Sequence, residues 1–382
     1  MNASSLRRVV FVVGTTTGGT GTHVAMLAKG CVARGLTVSV YGPAATDTRL
    51  GFASMPGLGF APVEFGDRPR PGDVSAVLRL RRALRSSEPP DVVHAHGLRA
   101  GAVTALALAG PPGRRRGPAL VVTVHNAAPA GVVSGAVYLA LERLIARRAD
   151  AVLCVSADLA GRMRRAGARD VTLAAVPAPA AEPPSAEAIG KARADIGARG
   201  RPVVLAAGRC ARQKGFDILL DAAVTLQQRD PAPLLVIAGE GPLVGPLAAR
   251  SRAAGTDVRF LGLRADVPAL LAVADVVVVP SRWEGQPLIV QESLRAGRPL
   301  VASRVGGIPA LTGEAGALLV PPGDPGRLAS AVASVLDDPV LSGHLATAAA
   351  ARAAVLPSPS GAVDAAVAIY ARLVSHDPPS GG

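Results

Sequence analysis

Two glutamates stand eight positions apart in the stretch RWEGQPLIVQESLRAG, residues 282–297. Glu284 lies in a turn that contains glycine and proline, and Glu292 falls in the second turn of the helix that is predicted to follow. Pro287 fits the first position of that helix, because the N–H that proline lacks would have no partner there. The turn that opens the helix therefore has a carboxylate on each side of the helix start.

This arrangement suits an elongated polar ligand. Gly285 and Gln286 bring backbone N–H groups to the helix start, where they can donate to an anion or a hydroxyl. Helical side chains lean toward the N-terminus, so the carboxylate of Glu292 can accept two hydrogen bonds from a vicinal diol such as a ribose. Glu284 then faces the other end of the ligand. The alternative is that both glutamates are solvated surface residues.

Two cations stand beside a second predicted helix start, in AAGRCARQKGFDILLDAA, residues 206–223. The preceding strand is expected to end at Gly208, and Arg209 and Lys214 flank a turn that opens a helix near Phe216. Cations beside a helix N-terminus favour a diphosphate. The alternative is a strand-to-helix loop with incidental basic residues.

Both halves of the chain alternate predicted strands and helices. Continuous β-branched runs are typical of strands that are covered on both faces, as in parallel sheets. These runs lie at 8–13, 36–41, 91–96, 119–125, 150–156, 202–208, 234–240, 258–262, 274–280 and 299–303. Helical segments separate them, so the sequence predicts an α/β fold with two Rossmann-like, doubly wound parallel-sheet domains.

The domain division is predicted from a segment rich in proline and alanine, 176–190, which is typical of a linker. We expect an N-terminal domain over 1–180, a C-terminal domain over 181–360 and a last helix over 361–376. Ligands of open parallel sheets bind at the carboxyl ends of the strands. A cleft between the two domains is therefore the expected site.

The composition is that of a globular protein with an aliphatic core. Of the 382 residues, 49% are hydrophobic and only 3% are aromatic. There is no run of about 18 uncharged apolar residues, so no transmembrane helix is predicted. The three cysteines are odd in number and far apart in the sequence. They disfavour a disulfide framework and favour a cytoplasmic location.

The net charge of +13 belongs almost entirely to the first half. Residues 1–180 carry 22 Lys and Arg against 10 Asp and Glu, whereas residues 181–382 carry 19 against 18. Arginines cluster at 78–85, 113–117, 143–148 and 162–165. These clusters are either solvated faces or a surface for peripheral contact with an anionic membrane. Base-stacking aromatics are absent around them, which disfavours nucleic acid as a partner.

The order of these motifs resembles that of the retaining, nucleotide-sugar-dependent glycosyltransferases of family 4. The resemblance rests on GRCARQKGFDILLDA, LLVIAGEGP, RWEGQPLIVQESLRAG, GALLVPPGD, GGTGTHVAMLAKGCVARGLTVSVYG, DVVHAHG, VTVHN and ADAVLCVSADLAGRM. Glu284 and Glu292 meet the E-x7-E pattern of that family. The resemblance covers nearly the whole chain. It implies the GT-B architecture of two Rossmann-like domains, with a last helix that returns to the first domain.

The resemblance also implies a role for residues of the second half. Arg209 and Lys214, which follow the strand end at Gly208, would hold the diphosphate and stabilise the leaving nucleotide. Glu292 would bind the ribose hydroxyls. The donor sugar would be contacted by Glu284 and by the backbone of the residues after it: Gly285, Gln286, Pro287 and Leu288.

In the first half, the resemblance places His125 near the anomeric carbon. Gly18 and Gly19, in the first loop, would let the backbone approach the donor closely. Retention in this family is explained by front-face attack, in which the leaving phosphate takes the proton of the acceptor, so no protein nucleophile is required. The donor is expected to be a UDP- or GDP-linked sugar, and neither a metal nor another cofactor is expected.

Two positions depart from the family pattern and leave the substrates open. The segment AAVPAPAA, 174–181, stands where an Asn-Gly is common, and Gln286 replaces an aromatic. The acceptor can be a lipid-linked intermediate, an inositol or other polyol, or a growing polysaccharide.

Other functions stay as alternatives. A nucleotide-sugar epimerase of the same fold and a silent, transferase-like binding subunit both fit the motifs. A nicotinamide-dependent dehydrogenase is disfavoured because GTTTGGTGTHVA lacks a clean G-x-G-x-x-G. A metal-dependent transferase would need Asp-x-Asp, which does not occur. His94 and His96 share one strand face without further ligands, which favours a structural or acceptor-facing role over zinc.

Overall fold

The computed structural model describes residues 6–16, 18–66, 72–85, 88–110, 117–125 and 132–375. The chain divides into two compact units, one formed by Met1–Val176 with Pro357–Gly382 and the other by Pro177–Leu356. Each unit contains one sheet of parallel strands. The predicted α/β fold with two Rossmann-like domains is confirmed. Of the predicted arginine cluster at 113–117, all residues but Gly117 lie outside the described part of the chain.

The first unit has a seven-stranded sheet in the order β3-β2-β1-β4-β5-β6-β7. Its strands are β1 Arg8–Val13, β2 Thr37–Gly42, β3 Leu58–Pro62, β4 Val92–His96, β5 Ala119–Val124, β6 Ala151–Cys154 and β7 Val171–Leu173. Its helices up to the second unit are α1 Gly19–Val32, α2 Ala44–Leu50, α3 Asp73–Leu84, α4 Leu98–Ala107, α5 Val132–Arg148 and α6 Ala157–Arg165. Because all the paired strands are parallel, the carboxyl ends of β1, β4 and β5 lie at one edge of the sheet.

The second unit has a six-stranded sheet in the order β10-β9-β8-β11-β12-β13. Its strands are β8 Val203–Ala207, β9 Leu234–Ala238, β10 Val258–Phe260, β11 Val276–Val279, β12 Leu300–Ser303 and β13 Leu318–Val320. Its helices are α7 Ala186–Ile196, α8 Phe216–Leu226, α9 Val244–Ala253, α10 Val267–Val273, α11 Leu288–Arg295, α12 Ile308–Thr312, α13 Pro325–Asp337 and α14 Pro339–Ala354. The loops that follow β8 and β11 carry the motifs of the second half, and both open at the carboxyl edge.

Apolar residues cover both faces of this second sheet, as the continuous β-branched runs predict. Val203 and Leu205 belong to the core on one face, and Val204 and Ala206 belong to the core on the other. All four are essentially buried. Burial of each Val or Leu side chain contributes about 1.5–3 kcal/mol. The sheet is therefore a rigid base for the loops at its edge.

The last helix, α15 Pro359–Ser375, belongs to the first unit and packs on α1. A Cβ on Gly30 would lie 2.4 Å from a methyl group of Val363, so glycine permits this close packing. Arg34 donates from Nε to Asp364 at 2.8 Å. The helix begins two residues before the predicted 361, and residue 376 lies outside the described chain.

Two boundary predictions differ from the structure. The division between the units falls at Val176 and Pro177, slightly before the predicted residue 180. The predicted linker 176–190 is wrong at its end, because α7 begins at Ala186. The hydroxyl of Ser185 accepts from the backbone N–H of Ala188 and caps that helix.

The segment Pro339–Ser375 is long and apolar enough to cross a membrane when it is judged by length and composition alone. This segment is two helices rather than one, since α14 ends at Ala354 and α15 begins at Pro359. The two helices have 16 and 17 residues, whereas about 20 are needed to span a bilayer.

Candidate functional site

Glu284 is buried in the loop after β11 and is held by three side chains. Its Oε1 accepts from Lys214 Nζ at 2.5 Å and from Ser281 Oγ at 2.7 Å. Gln213 Nε2 donates to Oε2 at 3.3 Å. The carboxylate is thus fixed in position by one ion pair and two further hydrogen bonds. Gln213 was not predicted because Glu284 is 71 positions away in the sequence. Ser281 was not predicted because a serine three positions before a glutamate is not a recognisable motif.

Two glycines let the backbone pack directly around Glu284. A Cβ on Gly306, where φ is 51°, would lie 1.7 Å from the carbonyl oxygen of Glu284. A Cβ on Gly215, where φ is 64°, would lie 2.0 Å from the carbonyl oxygen of Pro280. The left-handed backbone and the close approach both require glycine. The loop is therefore clamped from two sides by main chain.

Arg209 follows the end of β8 and is exposed. Within the described ranges, its guanidinium has no hydrogen bond or ion pair. A Cβ on Gly208 would lie 3.4 Å from Lys214 Cε, so the Lys214 side chain runs beside the residue that precedes Arg209. Lys214 thus lies beside the loop that carries Arg209, and Arg209 is left available; their joint role at a diphosphate stays a prediction.

A second arginine, Arg282, is paired at the start of α8 and is therefore not a free cation like Arg209. Arg282 forms a two-fold ion pair with Asp217 at 2.6 and 2.7 Å. Hydrogen bonding by Arg282 holds the pKa of Asp217 below its usual value, with the positive charge of Arg282 adding to the effect. Arg282 also donates from its backbone N–H to the carbonyl of Gln213 at 2.8 Å, which ties the two loops together.

Glu292 lies on α11 with a carboxylate that no described residue pairs with. Its side chain is half-buried, and burial raises its pKa while the charge of Arg295 lowers it in part. The neighbouring Gln291 is engaged, since its Oε1 accepts from the backbone N–H of Ala178 at 2.9 Å. Buried polar groups are ordinarily hydrogen-bonded. The carboxylate of Glu292 therefore keeps its capacity to accept hydrogen bonds.

The start of α11 differs by one residue from the prediction. Leu288 is the first helical residue, and Pro287 is the N-cap with φ −65° and ψ 127°. The prediction that Pro287 takes the first helical position is wrong, because this extended ψ is needed for the chain to turn into the helix. Proline has no side-chain acceptor, so no side chain caps α11. Gln286 has a partner in the structure, and the carbonyl of Gly285 accepts from Gly307 at 3.0 Å.

Gly18 and Gly19 stand at the start of α1 in the first unit. Gly18 is the N-cap, with an ordinary extended backbone at φ −153°, and Gly19 is the first helical residue. A Cβ on Gly18 would meet no atom within 4 Å. Neither backbone strain nor close packing requires a glycine at position 18. The space beside it, at the N-terminus of α1, is open.

His125 follows β5 and is part of a buried histidine cluster. His125 Nε2 lies 3.1 Å from His96 Nδ1, and the ring of His23 packs edge-on against both. Burial lowers the pKa of all three, aided for His96 and His125 by the neighbouring histidines, and the pKa of His23 falls to about 4. His125 is therefore a neutral hydrogen-bonding group at pH 7. His23 was not predicted, since a lone histidine on a helix gives no signal in the sequence.

His94, on the same face of β4, has both ring nitrogens satisfied. Nδ1 lies 2.5 Å from the hydroxyl of Tyr370 on α15, and Nε2 lies 2.7 Å from Thr123 Oγ1. Burial raises the pKa of Tyr370 and lowers that of His94. Tyr370 therefore donates to Nδ1, and the imidazole donates from Nε2 to Thr123. The structural role predicted for His94 agrees with these bonds.

The arginine clusters of the first unit divide into engaged and exposed residues. Arg81 donates to the carbonyls of Leu106 and Ala107 at the end of α4, and Arg162 pairs with Glu142 at 2.7 Å. The exposed arginines, for which the described chain offers no partner, are Arg79, Arg82, Arg85, Arg143, Arg147, Arg148 and Arg165. On α3 these stand close to Val74 and Leu78, which are 65% and 57% exposed.

Two family models match the chain, and the matches follow the two units. The first is the Glycosyl transferase 4-like domain, over residues 18–179, and the second is Glycosyl transferases group 1, over residues 201–338. Together they include every residue of the candidate site described above except Tyr370 of the last helix.

Two curated relatives and one solved structure show the extent of the similarity. D-inositol 3-phosphate glycosyltransferase of Saccharomonospora viridis is 32% identical over 355 residues, which is 83% of this chain and 81% of the relative. Alpha-D-kanosaminyltransferase of Streptomyces kanamyceticus is 35% identical over 184 residues, and this chain spans only 46% of its length. HepE of Anabaena, solved with UDP and glucose, has a TM-score of 0.78 at 21% identity, with 96% of this chain and 100% of that chain covered.

Proposed function

Because this chain belongs to the group 1 glycosyltransferases with a family 4-like N-terminal domain, we propose that it moves a sugar from a nucleoside diphosphate sugar to an acceptor with retention. The observation that carries the donor assignment is Glu292. This half-buried carboxylate has no partner in the described chain and can accept two hydrogen bonds. The two hydroxyls of a ribose supply two.

The diphosphate is assigned to Arg209 and Lys214 beside the start of α8. Breakage of the bond between sugar and phosphate leaves negative charge on the departing diphosphate. Cations that are fixed before the reaction stabilise this charge without reorganisation, which is the usual main source of rate. Arg209 is free for this role within the described chain, and Lys214 is already oriented by Glu284.

Glu284 then has two tasks. It holds Lys214 at 2.5 Å, and its remaining lone pairs accept from hydroxyls of the donor sugar. Because Ser281 and Gln213 also donate to this carboxylate, its position does not depend on the ligand. Close backbone contacts to the sugar are assigned to Gly285, Gln286, Pro287 and Leu288.

In the first unit, His125 is assigned to the donor sugar as a neutral hydrogen-bonding group. Its depressed pKa disfavours a role as a cation. The leaving phosphate takes the proton of the acceptor, so the reaction needs neither a protein nucleophile nor a metal. Gly18 and Gly19 are assigned to close approach of the donor, which agrees with the open space at Gly18.

Uridine is the first base to test, because HepE of Anabaena was solved with UDP and glucose. The relative of Saccharomonospora viridis suggests a phosphorylated polyol as acceptor. We place the protein in the cytoplasm, with peripheral contact to an anionic membrane through the exposed arginines of the first unit.

The test is calorimetric binding of UDP, GDP and ADP to the wild type, Glu292→Ala and Glu314→Ala. Glu314 is an exposed glutamate in the same unit and serves as the matched control. We expect one nucleotide to bind, with binding lost in Glu292→Ala and retained in Glu314→Ala. Absence of binding by all three nucleotides would contradict the proposal and favour a silent binding subunit. Conversion of the donor without any acceptor would favour an epimerase.

A further inference from the structure

His23, His96 and His125 form a set of imidazoles with the spacing of a metal site. Each offers one ring nitrogen, and these nitrogens all lie within 4.8 Å of one another. The three residues come from α1, β4 and the end of β5. Each is at most 6% exposed. Elements that belong to one rigid sheet and its adjacent helix thus hold the three rings in place.

The hydrogen bonds within the cluster are incomplete. His23 Nδ1 and His96 Nε2 are buried and have no partner among the described residues. The adjacent His94 differs, because Tyr370 and Thr123 occupy both of its nitrogens. Buried imidazole nitrogens are ordinarily paired, so those of His23 and His96 call for a group that the described residues do not supply.

The chemistry of the cluster favours a borderline metal ion. The three ligands are imidazoles, and an imidazole binds a metal through the lone pair of a ring nitrogen. Neutral imidazole suits Zn²⁺, Ni²⁺ and Cu²⁺. The cysteines do not compete, since burial raises the pKa of both Cys31 and Cys154 to about 12. Three imidazoles leave a fourth tetrahedral position for water.

We propose that His23, His96 and His125 bind one Zn²⁺ ion, and that this ion inhibits the transferase. Each ring gives the ion one nitrogen, at a metal–nitrogen distance of about 2.0–2.1 Å. His125 then loses a nitrogen that the sugar would use. The inhibition rests on the function proposed above, whereas the binding does not. The ion is an inhibitor here, and the reaction itself proceeds without it.

The first experiment measures binding alone, with Co²⁺ as a spectroscopic substitute for Zn²⁺. The metal-free wild type should bind one Co²⁺ with the visible absorption of a tetrahedral site, and Zn²⁺ should displace it. X-ray absorption at the zinc edge of the wild type should count three imidazole nitrogens. A count of fewer than three, or binding at several weak sites, would overturn the proposal. This measurement needs no variant.

The second experiment uses His23→Gln, with His344→Gln as its control because His344 is exposed in the second unit. Loss of a residue that only orients a metal ligand weakens binding by up to about 100-fold. Loss of one of the three ligands themselves should therefore weaken Zn²⁺ binding by at least about 100-fold. His344→Gln should bind as the wild type does. Equal affinity in all three proteins would refute the site.

The third experiment measures inhibition at a fixed donor concentration. Zn²⁺ should lower kcat of the wild type and of His344→Gln at the concentration that fills the site, whereas His23→Gln should need about 100-fold more. The affinity for UDP, whose binding we assign to the second unit, should be nearly the same with and without Zn²⁺. Filled sites with unchanged kcat would overturn the inhibition. If no sugar is transferred at all, the proposed function fails, and the Co²⁺ spectrum still tests the site.

Discussion

The partly buried carboxyl of Glu292 makes the stability of the fold depend on pH. Its carboxyl has a raised pKa in the folded protein, so the folded state binds the proton more tightly than the unfolded state does. Stability is then greatest below the unfolded pKa and falls as pH rises through the folded pKa. At pH 7 the ionised group destabilises the fold. Such a conflict between stability and activity is common at functional sites.

The variant Glu292→Gln should therefore be more stable and bind worse. We expect the free energy of unfolding at pH 7 to rise by about 0.5–1 kcal/mol. Hydrogen bonds to a charged group contribute about 1.5–3 kcal/mol, so UDP affinity should fall about 10-fold to 100-fold. Denaturant titration and calorimetry measure the two quantities. A variant that is less stable and binds UDP unchanged would contradict both the pairing and the role.

The same residue predicts how nucleotide binding depends on pH. Only the ionised carboxylate accepts from both hydroxyls, and its pKa is above the ordinary 4.5 even though Arg295 lowers it in part. UDP affinity should fall as pH is lowered, and the fall should begin at a higher pH than for an ordinary glutamate. The nucleotide phosphate titrates too, near pH 6. Glu292→Gln shows that contribution alone, so identical pH profiles for the two proteins would exclude Glu292 as the titrating group.

Residue types at the site could be predicted from the sequence, but their pairing could not. Glu284, Glu292, Arg209 and Lys214 were recognisable because each stands beside a predicted helix start. The contact between Lys214 and Glu284 joins positions that are 70 residues apart. The order of β8 beside β11 creates it, and no spacing in the sequence encodes that order.

At the scale of the elements, the loops of the site depend on glycines that face main chain. Gly306 and Gly297 have similar positive φ values, 51° and 59°. A Cβ on Gly306 would overlap the carbonyl of Glu284 at 1.7 Å, whereas a Cβ on Gly297 would meet its nearest atom at 3.8 Å. Alanine would strain the backbone at both positions, but only at Gly306 would it also push against Glu284. Comparison of the two variants therefore separates the two effects.

We expect Gly306→Ala to lower kcat/KM by about 100-fold, the effect of a roughly 1 Å shift of a catalytic group. Gly297→Ala should retain the activity and lose only about 1 kcal/mol of stability, the typical penalty of left-handed backbone for alanine. Steady-state kinetics and thermal unfolding of both variants check this. Equal activity of the two variants would contradict a role for Gly306 in positioning Glu284.

The last helix is joined to the first sheet by a buried hydrogen bond. Replacement of Tyr370 by phenylalanine leaves His94 Nδ1 buried without its donor. This should cost about 1–3 kcal/mol of stability. Tyr41→Phe is the control, since the Tyr41 hydroxyl has no hydrogen bond in the described chain. Chemical denaturation measures the loss of stability. Hydrogen exchange should show reduced protection of the amides of α15 and β4. An equal loss in both variants would mean that the bond contributes little.

Strands that lie within a recognisable apolar run were predictable, and three others were not. All ten predicted strands exist, because runs such as RVVFVV and DVVVV combine length with β-branched residues. The missed strands β7 and β13 have three residues each, VTL and LLV; β10, VRF, is equally short and was predicted. LGFAP in β3 contains glycine and proline, which predict a turn. These three strands form by pairing with a neighbour, which is a tertiary effect.

At the scale of the whole molecule, the positive charge is distributed unevenly along the chain. Residues 1–180 carry nearly all of the net +13. Arg79 and Arg82 on α3 stand close to the exposed Val74 and Leu78. A helix that exposes both cations and apolar side chains suits the interface of an anionic bilayer. Solvated arginines alone would not explain the exposed apolar residues.

The final prediction is that the protein sediments with anionic vesicles and not with neutral ones at low salt. Each arginine near an anionic surface contributes about 1 kcal/mol, so Arg79→Glu with Arg82→Glu should weaken binding by at least about 10-fold. The control changes the charge equally in the second unit, through Arg252→Glu with Arg327→Glu, both exposed. It should sediment as the wild type does. Equal recovery with both vesicle types would exclude membrane contact, and equal loss in both variants would mean that net charge, rather than α3, is responsible.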